Sequence, residues 1–196
     1  MVSSSGLSVG KSFVGGAEQG GIIASVAAFS LDKWIDEHRH LLRPPVGNAL
    51  IWKDSEFIVM IVGGPNRRND YHIDPGEEFF QQLQGDMILR VMEEDGPRDV
   101  PIRQGEVLML PALVPHSPQR VTNTVGMVVE RVRRPDEADH LRWYCETCNE
   151  VLHDASFHCS DIETQLTPII EGFYSDAALR TCKQCGRVLE PPPVEG

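Results

Sequence analysis

The chain has 196 residues and a formal net charge of −11 at pH 7, from 29 acidic and 18 basic side chains. This acidic balance argues against nucleic acid and against anionic membrane surfaces as partners, because both would repel the protein. No apolar run approaches the roughly 20 residues that a membrane-spanning helix needs, and the length suffices for one hydrophobic core with a small appendage. An anionic small molecule is not excluded as a substrate, since arginines can cluster locally.

The N-terminal stretch is rich in Ser, Gly and Ala, which predicts a disordered leader or extension over residues 1–28. A secretory signal fits this stretch poorly. Lys11 lies far upstream of the mildly apolar residues 22–29, and Glu18 intervenes.

A series of short strands follows one predicted helix. The helix covers residues 31–42, where Ser30 can cap its start and Pro44 stops it, because proline cannot continue a helix. The predicted strands are residues 49–53, 57–62, 78–83, 87–92, 107–110 and 127–132. Many short strands bounded by turn residues are typical of an antiparallel sandwich or barrel.

The composition changes near Pro135, where charged residues and then paired cysteines replace the strand pattern. Short helices are predicted at residues 161–166 and 175–180. The predicted organisation is a leader at 1–28, a β-barrel at 29–135, a metal-binding C-terminal segment at 136–190 and a tail at 191–196.

Two histidines and one glutamate have the character of a metal site. His72 and Glu78 flank a short turn, and His116 follows a second glycine- and proline-bounded stretch. Such a set binds one face of an octahedral metal and leaves the other face open for reactants. Asp74 would share the face of His72 in an extended segment, but its position before Pro75 equally suits a turn, so it is left out of the ligand set. The alternative is that both histidines are ordinary residues of a metal-free barrel.

Two arginines stand four residues from the histidines: Arg68 before His72, and Arg120 after His116. The period of two in a strand places each arginine on the side of its histidine, where a pair of guanidinium groups can hold a substrate carboxylate. Glu130, on the last predicted strand, is a candidate to take a proton from a substrate amine or hydroxyl. The alternative is that these residues form solvated surface pairs.

The cysteines form two Cys-x-x-Cys pairs, Cys145 with Cys148 and Cys182 with Cys185, while Cys159 is predicted to be a free thiol. Four thiolates suit a tetrahedral zinc or a rubredoxin-like iron in a closed, structural site. Paired knuckles of this kind indicate a reducing compartment, so a cytoplasmic location is expected. A redox dithiol and a zinc-ribbon nucleic-acid module are the alternatives, and the acidic chain disfavours the second.

The segments around the histidines resemble the two motifs of the cupin family. His72-x-Asp74-x3-Glu78-x6-Gly85 is similar to the first motif, and Gly105-x5-Pro111 followed by His116 is similar to the second. Three residues depart from the usual pattern: Asp74 replaces a histidine, and Asn66 and Leu113 replace glycines. The resemblance implies a mainly all-β fold, a double-stranded β-helix or jelly-roll barrel with an N-terminal helix and a small C-terminal appendage that binds a metal through four cysteines.

Further stretches resemble the 3-hydroxyanthranilate 3,4-dioxygenase family, in its bacterial-type form with a second metal. They are Pro44-Pro45-Val46-Gly47-Asn48, Gly63-Gly64-Pro65-Asn66, Asp70-Tyr71-His72, Glu77-Glu78-Phe79-Phe80 and His116-Ser117-Pro118-Gln119-Arg120. The resemblance implies a homodimer and iron(II) on His72, Glu78 and His116. It also implies that Arg68 and Arg120 hold the substrate carboxylate, that Glu130 contacts the amino or hydroxyl group, and that Asn48 lies near the substrate.

The reaction implied by this resemblance converts 3-hydroxyanthranilate and O2 into 2-amino-3-carboxymuconate semialdehyde. That product cyclises without an enzyme to quinolinate, in tryptophan breakdown and in NAD synthesis. Two alternatives stay open: another metal-dependent cupin enzyme, acting on a different catechol-like or thiol substrate, and a cupin that only binds a small ligand. The arginines discriminate the implied dioxygenase from a cupin enzyme with another substrate, because a substrate without a carboxylate gains nothing from the clamp.

Overall fold

The structure is a computed structural model that describes residues 27–43, 47–52 and 55–192. Residues 1–26 of the predicted leader, residues 44–46 of the stretch from Pro44 to Asn48, residue 53 of the predicted strand 49–53 and residues 193–196 of the predicted tail lie outside this part. The elements, in chain order, are α1 (Leu31–His38), a 3-10 helix (Arg39–Leu42), β1 (Asn48–Leu50), β2 (Phe57–Gly63), β3 (Asp70–Ile73), β4 (Glu78–Gln84), β5 (Met87–Glu93), β6 (Gly96–Ile102), β7 (Val107–Leu110), β8 (His116–Arg120), β9 (Val125–Arg131), β10 (Asp139–Tyr144), β11 (Val151–Phe157), α2 (Ile162–Ser175) and α3 (Ala177–Arg180).

The strands form two antiparallel sheets that face each other. One sheet has the order β1-β2-β9-β4-β7, and the other has the order β11-β10-β3-β8-β5-β6. Apolar side chains from both sheets share one core between the inner faces: Met60, Phe80, Met87, Leu89, Val91, Ile102, Leu110 and Val128. The predicted all-β jelly-roll architecture is therefore confirmed. Among the described helices, none has both the length and the apolar character needed to cross a membrane.

The N-terminal helix begins as its sequence predicts but ends differently. Ser30 caps α1, because its side-chain oxygen accepts a hydrogen bond from the Lys33 backbone N–H at 3.3 Å. The prediction of one α-helix through Leu42 is wrong in its last turn, which is 3-10. The tighter turn carries Leu42 into a buried cluster with Ile35 and Ile61, so side-chain packing decides how the helix ends.

Five strands were not predicted: β3, β6, β8, β10 and β11. A turn at residues 94–95 joins β5 to β6, which begins at Gly96 and carries Pro97 and Pro101. Proline is tolerated there, since β6 is the outer strand of its sheet. The other four strands all contain polar or charged residues, so their apolar pattern is too weak to indicate a strand.

The C-terminal segment packs on the barrel through aromatic residues. The rings of Trp143 on β10 and Phe173 on α2 stack with their centroids 4.1 Å apart. The helix predicted at residues 161–166 is too short, because α2 continues through Pro168 to Ser175, and its packing on β10 compensates the break that proline favours. Because β10 pairs with β3, the barrel sheet extends beyond residue 135. The domain boundary at that position stays a prediction.

Leu113 has a backbone conformation that favours glycine, with φ of +65°. This is the position where the cupin motif usually has glycine. A left-handed conformation costs a non-glycine residue about 1–2 kcal/mol, whereas glycine loses about 0.5–1 kcal/mol through its greater freedom when unfolded. The side chain is 65% exposed, so little packing is at stake. We expect Leu113→Gly to raise the free energy of unfolding by about 0.5–1 kcal/mol, as measured by urea denaturation.

A matched control for this substitution is Val121→Gly, at a similarly exposed apolar residue whose φ is not positive. Val121→Gly should lower the free energy of unfolding, because glycine raises the conformational entropy of the unfolded chain and no backbone strain is relieved in the folded state. If both variants lost stability equally, Leu113 would not be strained.

Candidate active site

One cavity of about 390 Å³ opens between the two sheets and is closed on one side by α2. Its volume is within the usual range for small-molecule sites. All seven residues that the sequence predicts for the catalytic metal and the substrate line it: Asn48, Arg68, His72, Glu78, His116, Arg120 and Glu130. The fold therefore brings the predicted site together, although the role of each residue stays a prediction.

The three predicted metal ligands lie close together, and all three are buried. His72 on β3 is the direct cross-strand partner of His116 on β8. Glu78 begins β4 in the opposite sheet. One ligand atom from each residue lies within 4.8 Å of the other two, so a single cation can bind all three.

Hydrogen bonds fix which ring nitrogen of each histidine faces the cluster. Nδ1 of His116 lies 3.0 Å from the Val114 carbonyl oxygen, and Nε2 of His72 lies 2.7 Å from Asp139 Oδ2. Both partners are acceptors, so these nitrogens carry the proton in the neutral rings. The remaining nitrogens, Nε2 of His116 and Nδ1 of His72, lie 3.0 and 3.8 Å from Glu78 Oε1.

The three ligand atoms are better suited to binding a divalent metal than to forming hydrogen bonds with one another. Glu78 Oε1 is buried and has no hydrogen-bond partner among the described residues, in spite of its short distance to His116. Burial would raise the pKa of Glu78, but His116, His72 and Arg133 outweigh it and lower that pKa. Burial would likewise lower the pKa of His116, but Glu78 raises it. A negative carboxylate between two imidazoles is a suitable cation site.

Arg120 is a buried cation without an acidic partner among the described residues. It is 2% exposed, and burial lowers the pKa of its guanidinium to about 10. Its Nη1 donates to Gln82 Oε1 at 3.0 Å, while its Nε has no hydrogen-bond partner in the described part of the chain. An unpaired buried charge is costly, and an anionic ligand in the cavity would compensate it.

Arg68 differs from Arg120 because it is already paired. Its Nε lies 3.2 and 3.1 Å from the two carboxylate oxygens of Asp70, and its Nη2 also contacts that carboxylate. Burial would lower the pKa of Arg68, but Asp70 outweighs it and raises that pKa. The sequence treats the two arginines as equivalent. In the described part of the chain, Arg68 has an acidic partner and Arg120 has none.

Glu130 lies opposite Glu78 on the neighbouring strands β9 and β4. Arg133 Nη2 lies 2.7 Å from Glu130 Oε2, but the contact is poorly aligned, and both carboxylate oxygens lack a hydrogen-bond partner within the described ranges. Burial and the neighbouring Glu78 raise the pKa of Glu130 well above its ordinary value. Such a carboxyl is a strong base once it is ionised.

Asp74 is a turn residue, as its position before Pro75 indicates. Its Oδ1 accepts a hydrogen bond from the Gly76 backbone N–H at 2.6 Å, and its Oδ2 lies 2.9 Å from Arg133 Nη2. Arg133 and Asp139, which support this side of the cavity, had no signal in the sequence, because neither belongs to a motif. The wall formed by α2 was also missed, and it contributes Ile162, Leu166, Thr167, Ile170 and Tyr174.

The four paired cysteines converge at a second site, outside the cavity. Sγ of Cys145 lies 3.5 Å from that of Cys185, and Sγ of Cys148 lies 3.6 and 3.7 Å from those of Cys182 and Cys185. A tetrahedral metal with bonds of about 2.3 Å to sulfur has sulfur–sulfur edges of about 3.8 Å. The thiols are therefore spaced as metal ligands and not as disulfides.

Both knuckles have the same backbone geometry. The residue after each pair has a positive φ, +59° at Asn149 and +75° at Gly186. Burial would raise the pKa of the Cys145 thiol, but backbone N–H groups of Thr147 and Cys148 lower it to about 6. Backbone donors thus favour the thiolate, which is the form that binds metals.

A family model described as 3-hydroxyanthranilic acid dioxygenase matches residues 23–174. A protein of Xanthomonas oryzae pv. oryzae (strain MAFF 311018) named 3-hydroxyanthranilate 3,4-dioxygenase is 54% identical over 168 residues, which cover 86% of this chain and 94% of that protein. A Bacillus cereus (strain ATCC 10987) protein of the same name is 48% identical over 172 residues, 87% and 96% of the two chains. Among solved structures, a cupin-2 domain containing protein from Shewanella frigidimarina aligns with 50% of this chain and 91% of its own, with a TM-score of 0.42 and 14% identity.

Proposed function

This chain belongs to the 3-hydroxyanthranilic acid dioxygenase family, and we propose that it opens the aromatic ring of 3-hydroxyanthranilate with dioxygen. The product is 2-amino-3-carboxymuconate semialdehyde, which contains both oxygen atoms of O2 and closes without an enzyme to quinolinate. The observation that carries this proposal is the buried Arg120, which has no acidic partner among the described residues and lies in the same cavity as the His72, Glu78 and His116 cluster. A carboxylated aromatic ligand of a metal suits both features at once.

We assign iron(II) to His72, Glu78 and His116. The fit rests on three inward-facing ligand atoms within 4.8 Å of one another and on the unsatisfied Glu78 Oε1. A redox-active iron supplies the electron transfer between a closed-shell aromatic ring and dioxygen that does not occur readily without it. The chain itself contributes the binding and orientation of the ring and the movement of its protons.

The carboxylate of the substrate is assigned to the arginine side of the cavity. Arg120 offers an unpaired Nε, and a guanidinium can bind a carboxylate through two parallel hydrogen bonds. Arg68 contributes positive potential but keeps Asp70 as its own partner. Asn48, at the start of β1, lines the same cavity and is assigned to a polar contact with the substrate. Binding at these points orients the ring before the reaction, so the entropy cost of orienting it is not part of the reaction barrier.

Glu130 is assigned to the amino and hydroxyl side of the ring. Its two oxygens have no hydrogen-bond partner among the described residues, and its raised pKa makes the ionised carboxylate a strong base. It can therefore accept the proton that a phenolic hydroxyl releases on binding.

The Glu130→Gln variant is expected to lower kcat by about 100- to 1000-fold, because an amide keeps the shape of the side chain but cannot take a proton. KM should change by less than about tenfold, since the carboxylate contacts of the substrate are intact. Steady-state oxygen uptake measures both constants. A kcat within about threefold of the wild-type value would remove Glu130 from the proton transfer.

For the second site we propose a structural zinc or iron on Cys145, Cys148, Cys182 and Cys185, which cross-links the two knuckles. Metal analysis of the purified protein should give one equivalent beyond the catalytic metal, and a variant with Cys148→Ser should lose it. Retention of that equivalent would contradict the assignment. We also propose a cytoplasmic location, which the reducing conditions that such thiolates need support.

We also propose a homodimer. The strand β7 is the edge of its sheet and exposes Val107 and Met109, each 58% exposed, so its pairing groups and side chains are open to a second copy. Light scattering coupled to size exclusion should give twice the chain mass of 21.8 kDa. A single-chain mass at micromolar concentration would contradict the dimer.

The reaction is tested by loading the protein with iron(II) without air, adding 3-hydroxyanthranilate, and then admitting oxygen. Oxygen consumption in a one-to-one ratio with the appearance of the semialdehyde absorbance is expected. 2-Aminophenol, which lacks the carboxylate, should react far more slowly. Iron binding without turnover would overturn the proposed substrate, and absence of iron binding would overturn the proposed metal centre.

A further inference from the structure

The side chain of Asp139 contacts His72 from outside the cavity. Its Oδ2 lies 2.7 Å from His72 Nε2, on the ring edge opposite the Glu78 carboxylate. Asp139 is 0% exposed, so water does not compete for this contact. The pairing of β10 with β3 places Leu141 opposite His72. Asp139 precedes Leu141 by two residues, so it is the diagonal neighbour of His72 on the same face of the sheet.

Arg133 fixes the Asp139 carboxylate by a bidentate contact. Its Nε donates to Oδ1 at 2.8 Å, and its Nη2 donates to Oδ2 at 2.6 Å, while its Nη1 donates to the Arg131 carbonyl oxygen at 2.9 Å. The guanidinium is fully buried. Planar two-point contacts of this kind hold a carboxylate in one orientation.

We propose that Asp139 is a positioning residue of the metal centre, which holds His72 so that Nδ1 is its metal-binding atom, and that Arg133 holds Asp139. This inference rests on the proposed assignment of His72 as a ligand. The physical reason is that a neutral imidazole has one N–H: an acceptor at Nε2 keeps the proton there and leaves the lone pair of Nδ1 toward Glu78 and His116. The hydrogen bond to Asp139 also fixes the rotation of the His72 ring.

Arg133 links this support to the substrate side of the cavity. The same Nη2 lies 2.7 Å from Glu130 Oε2 and 2.9 Å from Asp74 Oδ2. One guanidinium therefore holds the acid behind a metal ligand and also lies within ion-pair distance of the acid assigned to the substrate.

The test uses cobalt(II) as the probe, in anaerobic competition with a chelator, so that the readout does not depend on activity. Asp139→Asn should weaken cobalt binding by about 10- to 100-fold, the usual effect of removing a carboxylate behind a histidine ligand. Arg133→Lys, which keeps the charge but loses the bidentate contact, should weaken it by a smaller factor. The matched control is Asp154→Asn, because Asp154 forms a similar pair with His140, 2.5 Å from its Nδ1, on the same hairpin but outside the cavity.

The outcomes separate this inference from the proposed function. If His72→Ala loses cobalt while Asp139→Asn and Arg133→Lys bind it like Asp154→Asn, His72 is a ligand but Asp139 does not position it, and the inference is overturned. If His72→Ala binds cobalt normally, the ligand assignment itself is wrong. Circular dichroism identifies variants that fail to fold.

A measurement on the unmodified protein tests the inference even if the variants do not fold. The proton NMR spectrum of the cobalt form should show two solvent-exchangeable, strongly shifted ring N–H signals, from His72 Nε2 and His116 Nδ1. Both should exchange slowly, because each is hydrogen-bonded and both rings are buried. Only one slow signal would show that Asp139 does not hold the His72 proton.

Discussion

The Arg120→Ala variant is expected to raise KM for 3-hydroxyanthranilate on the order of 100-fold while its iron content stays at the wild-type level. Arg120 is buried and has no acidic partner in the described structure, so the charge is available to the substrate carboxylate. Removing one partner of a buried charge pair costs about 2–5 kcal/mol of binding free energy. Steady-state kinetics and metal analysis of the same preparation measure the two quantities.

The substrate pair 3-hydroxyanthranilate and 2-aminophenol separates loss of the clamp from general damage. The wild-type protein should prefer the carboxylated compound strongly, and Arg120→Ala should lose most of that preference. Arg120 is a cleaner test than Arg68, because Arg68→Ala would leave the buried Asp70 without its partner.

A matched control for this prediction is Arg90→Ala, which removes a guanidinium from an exposed pair with Asp99 and should leave KM unchanged. Unaltered KM in Arg120→Ala would remove Arg120 from substrate binding and would return the search to ligands without a carboxylate.

The His116→Ala variant is expected to lose iron and activity together, with a fall in activity of at least about 1000-fold. A metal held by three protein side chains binds much more weakly through two, and the remaining Glu78 carboxylate would stay buried without its closest partner. Iron content per chain and oxygen uptake are the measurements, and chelation of the wild-type protein should reproduce the loss of activity.

The control is His40→Ala, which removes an exposed histidine of the 3-10 helix, far from the cluster in sequence. Its iron content should equal that of the wild-type protein. Full iron occupancy in His116→Ala would contradict the ligand assignment, whatever happened to activity.

The fold was predictable where the local pattern of apolar residues agreed with the final structure. The strands β2, β4, β5 and β9 alternate or run apolar between turn residues, so their sequence indicates them. The strand β8 carries His116 and Arg120 and has almost no apolar residue, so it was missed. At the site, the polar residues assigned to the reaction replace the apolar residues by which a strand is recognised in the sequence.

The sequence by itself determined the donor types and the local geometry of both sites. His72 and Glu78 are joined by one short turn, and each Cys-x-x-Cys knuckle closes within four residues, so their spacing is set by local backbone conformation.

Only the tertiary structure decided which charges are compensated and what supports the ligands. Asp70 neutralises Arg68, whereas Arg120 has no acid beside it in the described part of the chain, and Asp139 reaches His72 across 67 residues of sequence. These contacts depend on the register of β10 against β3 and on the burial of each side chain. Strand register arises from packing over the whole sheet, and no local pattern of residues encodes it.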